Sequence, residues 1–114
     1  MLARNTGGMI CSAITQISGC SQWFTQGFIT YSNQSKIDLL GVSEDSLARY
    51  GAVSQQVANE MACGAVRRSQ GSLSLSITGI AGPSGGTKTK PVGTVFFSVC
   101  DKKKLLLKHK AHFE

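Results

Sequence analysis

Between Leu73 and Cys100 the chain reads as two strands joined by a glycine-rich loop, and this pairing limits the fold more than any other stretch. Leu73, Leu75 and Ile77 alternate with Ser74, Ser76 and Thr78, the two-residue period of a strand. The loop that follows, Thr78-Gly79-Ile80-Ala81-Gly82-Pro83-Ser84-Gly85-Gly86-Thr87, holds four of the 13 glycines. Glycine carries no Cβ and tolerates positive φ, so main-chain N–H groups there can come close to a bound group. Val92–Cys100, with Val95, Phe96, Phe97 and Val99, is the most strand-like run of the chain. Asp101-Lys102-Lys103 then reads as a turn, and Lys104–Phe113 as a strand returning beside it.

The loop is not a nucleotide P-loop. Gly82-Pro83-Ser84-Gly85-Gly86-Thr87-Lys88-Thr89 has Thr87 where the second motif glycine belongs, and Pro91 and a strand follow where a helix is required. What remains is a strand-to-strand loop rich in N–H groups, suited to an anion or a carbonyl oxygen.

Ahead of this unit, helical spacing dominates. Thr6 reads as the N-cap of a helix to about Ile17, with Met9, Ile10, Ala13, Ile14 and Ile17 on one face. Gly7-Gly8 in its first turn costs propensity, which a ligand at the free N–H groups would offset. Gly27–Tyr31 reads as a strand; Ser32 or Asn33 caps a helix through Leu40 that Gly41 ends. That order places the Tyr31 phenol and the Lys36 ammonium at the C-terminal end of a strand, where ligands bind in open α/β sheets. Ser43 caps Glu44–Tyr50, closed by Gly51. Ser54 caps a further helix, with an apolar stripe of Val57, Ala58, Met61, Ala62, Ala65 and Val66 and with Arg67 and Arg68 in its last turn.

Composition sets the class. At 114 residues, with 41% hydrophobic and 16% charged residues, the chain reads as a single α/β domain over residues 1–114. No apolar run reaches the length of a membrane helix, and the start lacks a signal-peptide core, so no membrane partner and a cytoplasmic location are expected. Cys11, Cys20, Cys63 and Cys100 are widely spaced without a nearby His pair, which argues against a metal site. Cys11, Cys63 and Cys100 read as small core residues, and no disulfide is expected in a chain of this kind. Half of the net charge of +6 falls in residues 101–114, where no aromatic interleaves with the lysines. A lysine-protected sheet edge accounts for it better than a nucleic-acid partner.

Read together, the segments resemble a known family. They are Thr6-Gly7-Gly8, Ser21-Gln22-Trp23-Phe24, Gly27-Phe28-Ile29-Thr30-Tyr31-Ser32-Asn33, Gly51-Ala52-Val53-Ser54, Ile77 through Pro83, and Lys90-Pro91-Val92-Gly93-Thr94-Val95. In this order they look like the CinA C-terminal domain family, the competence- and damage-inducible group that includes nicotinamide-nucleotide amidases. The resemblance implies a three-layer α/β/α sandwich with a mixed, mostly parallel sheet. It also implies hydrolysis of nicotinamide mononucleotide (NMN) to nicotinate mononucleotide and ammonia, with no cofactor and no metal. By resemblance, Tyr31 and Lys36 are the catalytic pair. Thr6, Gly7, Gly8, Asn33, Thr78, Gly79, Ala81, Gly82, Gly85, Gly86 and Thr87 line the substrate pocket.

One departure is large. The family's helix follows a strand ending in Ala-Glu-Ser-Cys-Thr-Gly-Gly, whose Ser is the nucleophile. Here Leu2-Ala3-Arg4-Asn5-Thr6-Gly7-Gly8 stands in that place, so Arg4 occupies the nucleophile's position. A guanidinium stays protonated and cannot attack a carbonyl. The family's preceding helix and strand and its last helix are also absent, which predicts an unpaired sheet edge and uncovered apolar surface, with homo-oligomerisation as one remedy. The expectation is therefore family architecture with weak or no amidase activity. The alternatives are a non-catalytic nucleotide-binding or interaction paralogue, or a truncated gene product.

Overall fold

A computed structural model describes residues 2–3, 9–80 and 93–112 of the chain. Nine elements run in the order β1 (Leu2–Ala3), α1 (Met9–Thr15), a 3-10 turn (Cys20–Gln22), α2 (Asn33–Leu40), α3 (Glu44–Tyr50), α4 (Gln55–Arg68), β2 (Leu73–Gly79), β3 (Thr94–Asp101) and β4 (Leu105–His112).

The helices end where their capping residues stand. Ser32, Ser43 and Ser54 each adopt extended backbone, and each side-chain oxygen accepts the N–H three residues on, from Ser35, Ser46 and Val57. Gly41 stops α2 at φ 71°, a left-handed conformation that strains any residue with a Cβ.

Helix α4 is the hub, buried on two faces. Val57, Met61 and Ala65 pack with Leu40 and Val42, and with the partly buried Phe28 and Leu47. Ala58, Ala62 and Val66 instead meet β3 and its neighbours: Ala58 packs with Val53 and Phe96, Ala62 and Val66 with Cys100. The wide apolar stripe read from the sequence thus serves two contacts at once. Gly64 lets α2 come close, since a Cβ there would overlap the Leu40 carbonyl.

The sheet has the order β1-β2-β3-β4. Strands β2 and β3 pair antiparallel from Leu73↔Asp101 to Gly79↔Val95, and β3 pairs antiparallel with β4, with an irregularity at Val99/Cys100. Only the two-residue β1 lies parallel to β2, at Leu2↔Ser76 and Ala3↔Ile77. The expectation of a mostly parallel sheet is therefore wrong, although the α/β class stands. The physical reason is that β2, β3 and β4 are consecutive strands, each paired with the next, and neighbouring strands met in sequence this way run antiparallel. A second correction concerns Gly27–Tyr31. It carries a single bridge residue at Phe28 and forms no strand.

The two faces of β2 are used in an unusual sense. Ser74, Ser76 and Thr78 turn inward and are buried, while Leu73 on the opposite face is 62% exposed. The hydroxyls are not orphaned. Ser74 Oγ donates to the Ala62 carbonyl at 2.6 Å, Ser76 Oγ to the Ala58 carbonyl at 2.6 Å, and Thr78 Oγ1 to the Ala52 carbonyl at 2.9 Å. The opposite face carries Leu75, Phe97 and Val99, all partly exposed, and Leu107, which is 59% exposed. Among the described residues, its cover is confined to the β2 side. There Ile14, Trp23 and Phe24 stand across a cleft from Leu73 and Leu75.

The β3–β4 turn is fixed by one carboxylate. Asp101 Oδ1 accepts the N–H of Lys104 at 2.7 Å and of Lys103 at 2.8 Å. These two bonds, Lys104 first, hold the carboxyl below the usual carboxylate range, with the Lys104 charge as a smaller aid.

Two outcomes follow from this architecture. Gly64→Ala forces α2 and α4 apart and destabilises the fold by about 3 kcal/mol, read from urea unfolding. The lowered Asp101 pKa adds stability above the unfolded-state value, and that stability is lost as pH falls through the folded value. Amide hydrogen exchange at Lys103 and Lys104 should therefore lose protection below the carboxylate range ahead of the centre of β3. Unchanged protection there would contradict the turn geometry.

Candidate functional site

Helix α2 begins one residue after Ser32, and the turn before it is built around a lysine. Lys36 is fully buried. Its Nζ donates to the main-chain carbonyls of Thr30 at 2.7 Å, Tyr31 at 3.3 Å and Ser32 at 3.4 Å. An ammonium can be kept from water only when such acceptors replace its hydration. The local sequence provides them, because residues 30–32 stand just ahead of the helix, with Ser32 extended, and Lys36 sits one turn inside it, within reach of their carbonyls. The Ser32 carbonyl also accepts the Lys36 N–H at 3.2 Å and the Ser35 hydroxyl at 2.7 Å. Thr30 Oγ1 is buried beside this cluster with no hydrogen-bond partner among the described residues.

Tyr31 and Lys36 are thus brought together through the main chain. The ammonium bonds the Tyr31 carbonyl, while the Tyr31 side chain is 71% exposed. Asn33 opens α2 and is exposed. The lysine therefore fixes the backbone that presents Tyr31.

Thr78 and Gly79 close the inner end of β2. Thr78 is fully buried and spends its hydroxyl on the Ala52 carbonyl, two residues ahead of the α4 cap. A Cβ on Gly79 would press on the Val95 side chain and the Thr94 carbonyl at 3.0 and 3.1 Å. Beyond them the Ile80 N–H donates to the Thr94 carbonyl at 3.0 Å, and the Gly93 N–H to the Ile80 carbonyl at 2.7 Å. Gly93 takes φ 94° at this closure. The glycine loop is accordingly anchored at its base as a strand-to-strand connection, the context that excluded a P-loop. Arg4, Thr6, Gly7, Gly8, Ala81, Gly82, Gly85, Gly86 and Thr87 lie outside the described residues.

Trp23 and Phe24, quoted above as part of the family pattern, stand elsewhere. Their rings meet edge-on with centroids 6.4 Å apart. They line a cleft of about 510 Å³ with Ile14, Leu73, Leu75 and Val99, and among the described residues none of the predicted site residues lines it. The cysteine expectation also needs correction: Cys63 of α4 and Cys100 of β3 form a disulfide, with Cα atoms 5.5 Å apart. Sequence spacing hid the pair, because 37 residues separate the two cysteines and only the packing of α4 on β3 joins them.

Comparison with known proteins bears on these residues as a set. The chain matches the CinA C-terminal domain over residues 4–114. It is 52% identical over 108 residues to the nicotinamide-nucleotide amidohydrolase PncC of Enterobacter agglomerans, covering 95% of this chain and 66% of that protein. The PncC of Escherichia coli K12 is also 52% identical, over 93 residues, covering 82% of this chain and 56% of the relative. The chain thus spans less than two-thirds of the length of either relative. Among solved structures, the competence/damage inducible protein CihA from Agrobacterium tumefaciens superposes with a TM-score of 0.93 at 42% identity, over 99% of this chain and 68% of that one.

The two residues of the central pair should separate cleanly by substitution. Lys36→Met keeps the stem but strips three carbonyls of their donor, and should lower stability by about 2 kcal/mol. Tyr31→Phe, at an exposed ring, should change it by less than about 0.5 kcal/mol. Thermal melts of both variants measure this. Equal losses would mean that the Tyr31 hydroxyl has a structural partner.

Proposed function

Because the chain belongs to the CinA C-terminal domain family, we propose that it is a nicotinamide-nucleotide-amidohydrolase-type domain that binds NMN or a close analogue and hydrolyses it weakly or not at all. The observation that carries the first half is the 52% identity to relatives named for this activity. The second half rests on Arg4, which stands where the family pattern has its nucleophilic serine.

Amide hydrolysis needs a nucleophile for the carbonyl carbon, donors for the oxyanion and a proton for the departing ammonia. In this reading the loop from Thr78 to Thr87, with Ala81, Gly82, Gly85 and Gly86, gives main-chain N–H groups to the oxyanion or the phosphate. Thr6, Gly7 and Gly8 contribute to holding the substrate in the same reading, as does Asn33 at the start of α2. The Tyr31 phenol is the proton-transfer group. Lys36 acts behind it: its bonds to the carbonyls of residues 30–32 hold the backbone that carries Tyr31 in place. These parts bind and orient. What is lacking is the attacking hydroxyl, since Arg4 stays protonated and offers no lone pair. No cofactor or metal is needed for this chemistry, and the reading places the domain in the cytoplasm.

Ammonia release from NMN tests the proposal. The chain should turn over below about a tenth of the rate of an intact relative, and Arg4→Ser should raise its rate by about tenfold or more. Calorimetric titration should find micromolar NMN binding in both forms. Turnover by the unsubstituted chain close to that of the relative would overturn the role of Arg4. No binding at millimolar NMN would overturn the pocket.

A further inference from the structure

The disulfide between Cys63 and Cys100 is asymmetric in its surroundings. Cys100 is fully buried against Ala62 and Val66. Cys63 is partly exposed and lines a shallow cleft of about 190 Å³ with Gly41, Asn59, Glu60 and Arg67. Glu60 lies three residues before Cys63 on α4 and Arg67 four residues after it, so all three share one helix face. The Glu60 carboxylate also accepts the Ser43 N–H at 3.0 Å, which fixes it at the rim. Cys63 is therefore partly exposed at a cleft that a carboxylate and a guanidinium also line, whereas Cys100 is closed off.

From this geometry we infer that Cys63 is a thiolation site, where a small zwitterionic thiol of the glutathione class exchanges reversibly with the Cys63–Cys100 disulfide. Arg67 attracts the carboxylate of such a thiol and Glu60 its ammonium, leaving the sulfur over Cys63. The attacking thiolate forms a new S–S bond to Cys63 Sγ as the Cys63–Cys100 bond breaks. The electron pair leaves with Cys100, which takes a proton. A second thiol attacks the mixed disulfide, releases the Cys63 thiol and departs as the oxidised dimer, so two thiols supply the two electrons. Because Cys100 leaves into an apolar cluster, where burial disfavours a thiolate, the exchange is slow, on the scale of minutes to hours.

The exchange should change stability without dismantling the fold. The disulfide closes a long loop between α4 and β3, whereas Lys102 ties the same two elements independently. Its Nζ donates to the carbonyls of Val66 at 3.1 Å and Ser69 at 3.2 Å.

Peptide mapping of the unsubstituted chain tests the inference directly. Trypsin leaves Cys63, Cys100 and the Cys11/Cys20 pair on three different peptides. Air-oxidised protein should give the Cys63 and Cys100 peptides linked. Incubation with millimolar reduced glutathione, followed by acid quench and alkylation, should place glutathione on the Cys63 peptide and the alkyl group on Cys100. Full reduction should lower the melting temperature by about 10 °C or more. Arg67→Glu should slow the appearance of the mixed disulfide about threefold or more. Three outcomes would overturn the inference: peptides that are never linked, glutathione carried by Cys100 as readily as by Cys63, or an adduct rate indifferent to Arg67.

Discussion

The contact on which the rest of this fold depends is the row of hydroxyl-to-carbonyl hydrogen bonds between β2 and α4. Side chains on one face of a strand recur every two residues, about 6.8 Å. Four residues of helix advance about 6 Å. Those two steps nearly coincide, so Ser74 meets Ala62 while Ser76 meets Ala58. The strand therefore runs antiparallel to the helix axis. Each bond is worth only about 1 kcal/mol net, yet leaving such a hydroxyl unpaired would cost more, so the register is fixed chiefly by exclusion. Alanine at 58 and 62 is the necessary partner, because a larger side chain would hold strand and helix apart.

This contact also sets where the candidate site begins. Thr78 extends the series to the Ala52 carbonyl, just before the Ser54 cap of α4. The end of β2, the base of the glycine loop at Ile80 and Gly93, and the start of α4 are thereby held at one end of the sheet. Lys36 achieves a similar result for the turn before α2, with a charge in place of hydroxyls. In both places the main chain is positioned by a side chain that is itself buried, which keeps the geometry stiff while the Tyr31 side chain stays exposed.

Local features of the fold were legible in the sequence, and non-local ones were not. Ser32, Ser43, Ser54 and Gly41 act within four residues of themselves, so the limits of α2, α3 and α4 could be read directly. The alternation over Leu73–Thr78 gave a strand, but the period alone does not say which face is buried. Hydropathy would favour the leucines; the helix carbonyls chose the serines. The direction of the sheet follows from a local fact that the resemblance does not carry, namely that β2, β3 and β4 are consecutive strands and each pairs with the next. Gly27–Tyr31 has strand composition, but Lys36 takes the carbonyls of Thr30 and Tyr31 that a neighbouring strand would have used. Within the candidate site, Tyr31 and Lys36 were singled out from pattern and resemblance. The hydrogen bond between them, from the Lys36 ammonium to the Tyr31 carbonyl, depends on a buried rotamer that no sequence spacing encodes.

Helix α4 is thus held at its two ends by different chemistry. Toward the site, the ties are neutral hydrogen bonds from Thr78 and Ser76, indifferent to redox conditions. At the far end they are the Cys63–Cys100 bond and the Lys102 ammonium, one covalent and the other a pair of charge-assisted hydrogen bonds. Breaking the covalent tie frees chain entropy mainly in the unfolded ensemble. It leaves Ala58 and Ala52, and hence the hydroxyls that position Thr78, where they are. A change of thiol state would therefore alter how long the domain stays folded more than how its site is arranged. Such a division is available only because the strand-to-helix register is fixed by the serines and not by the disulfide.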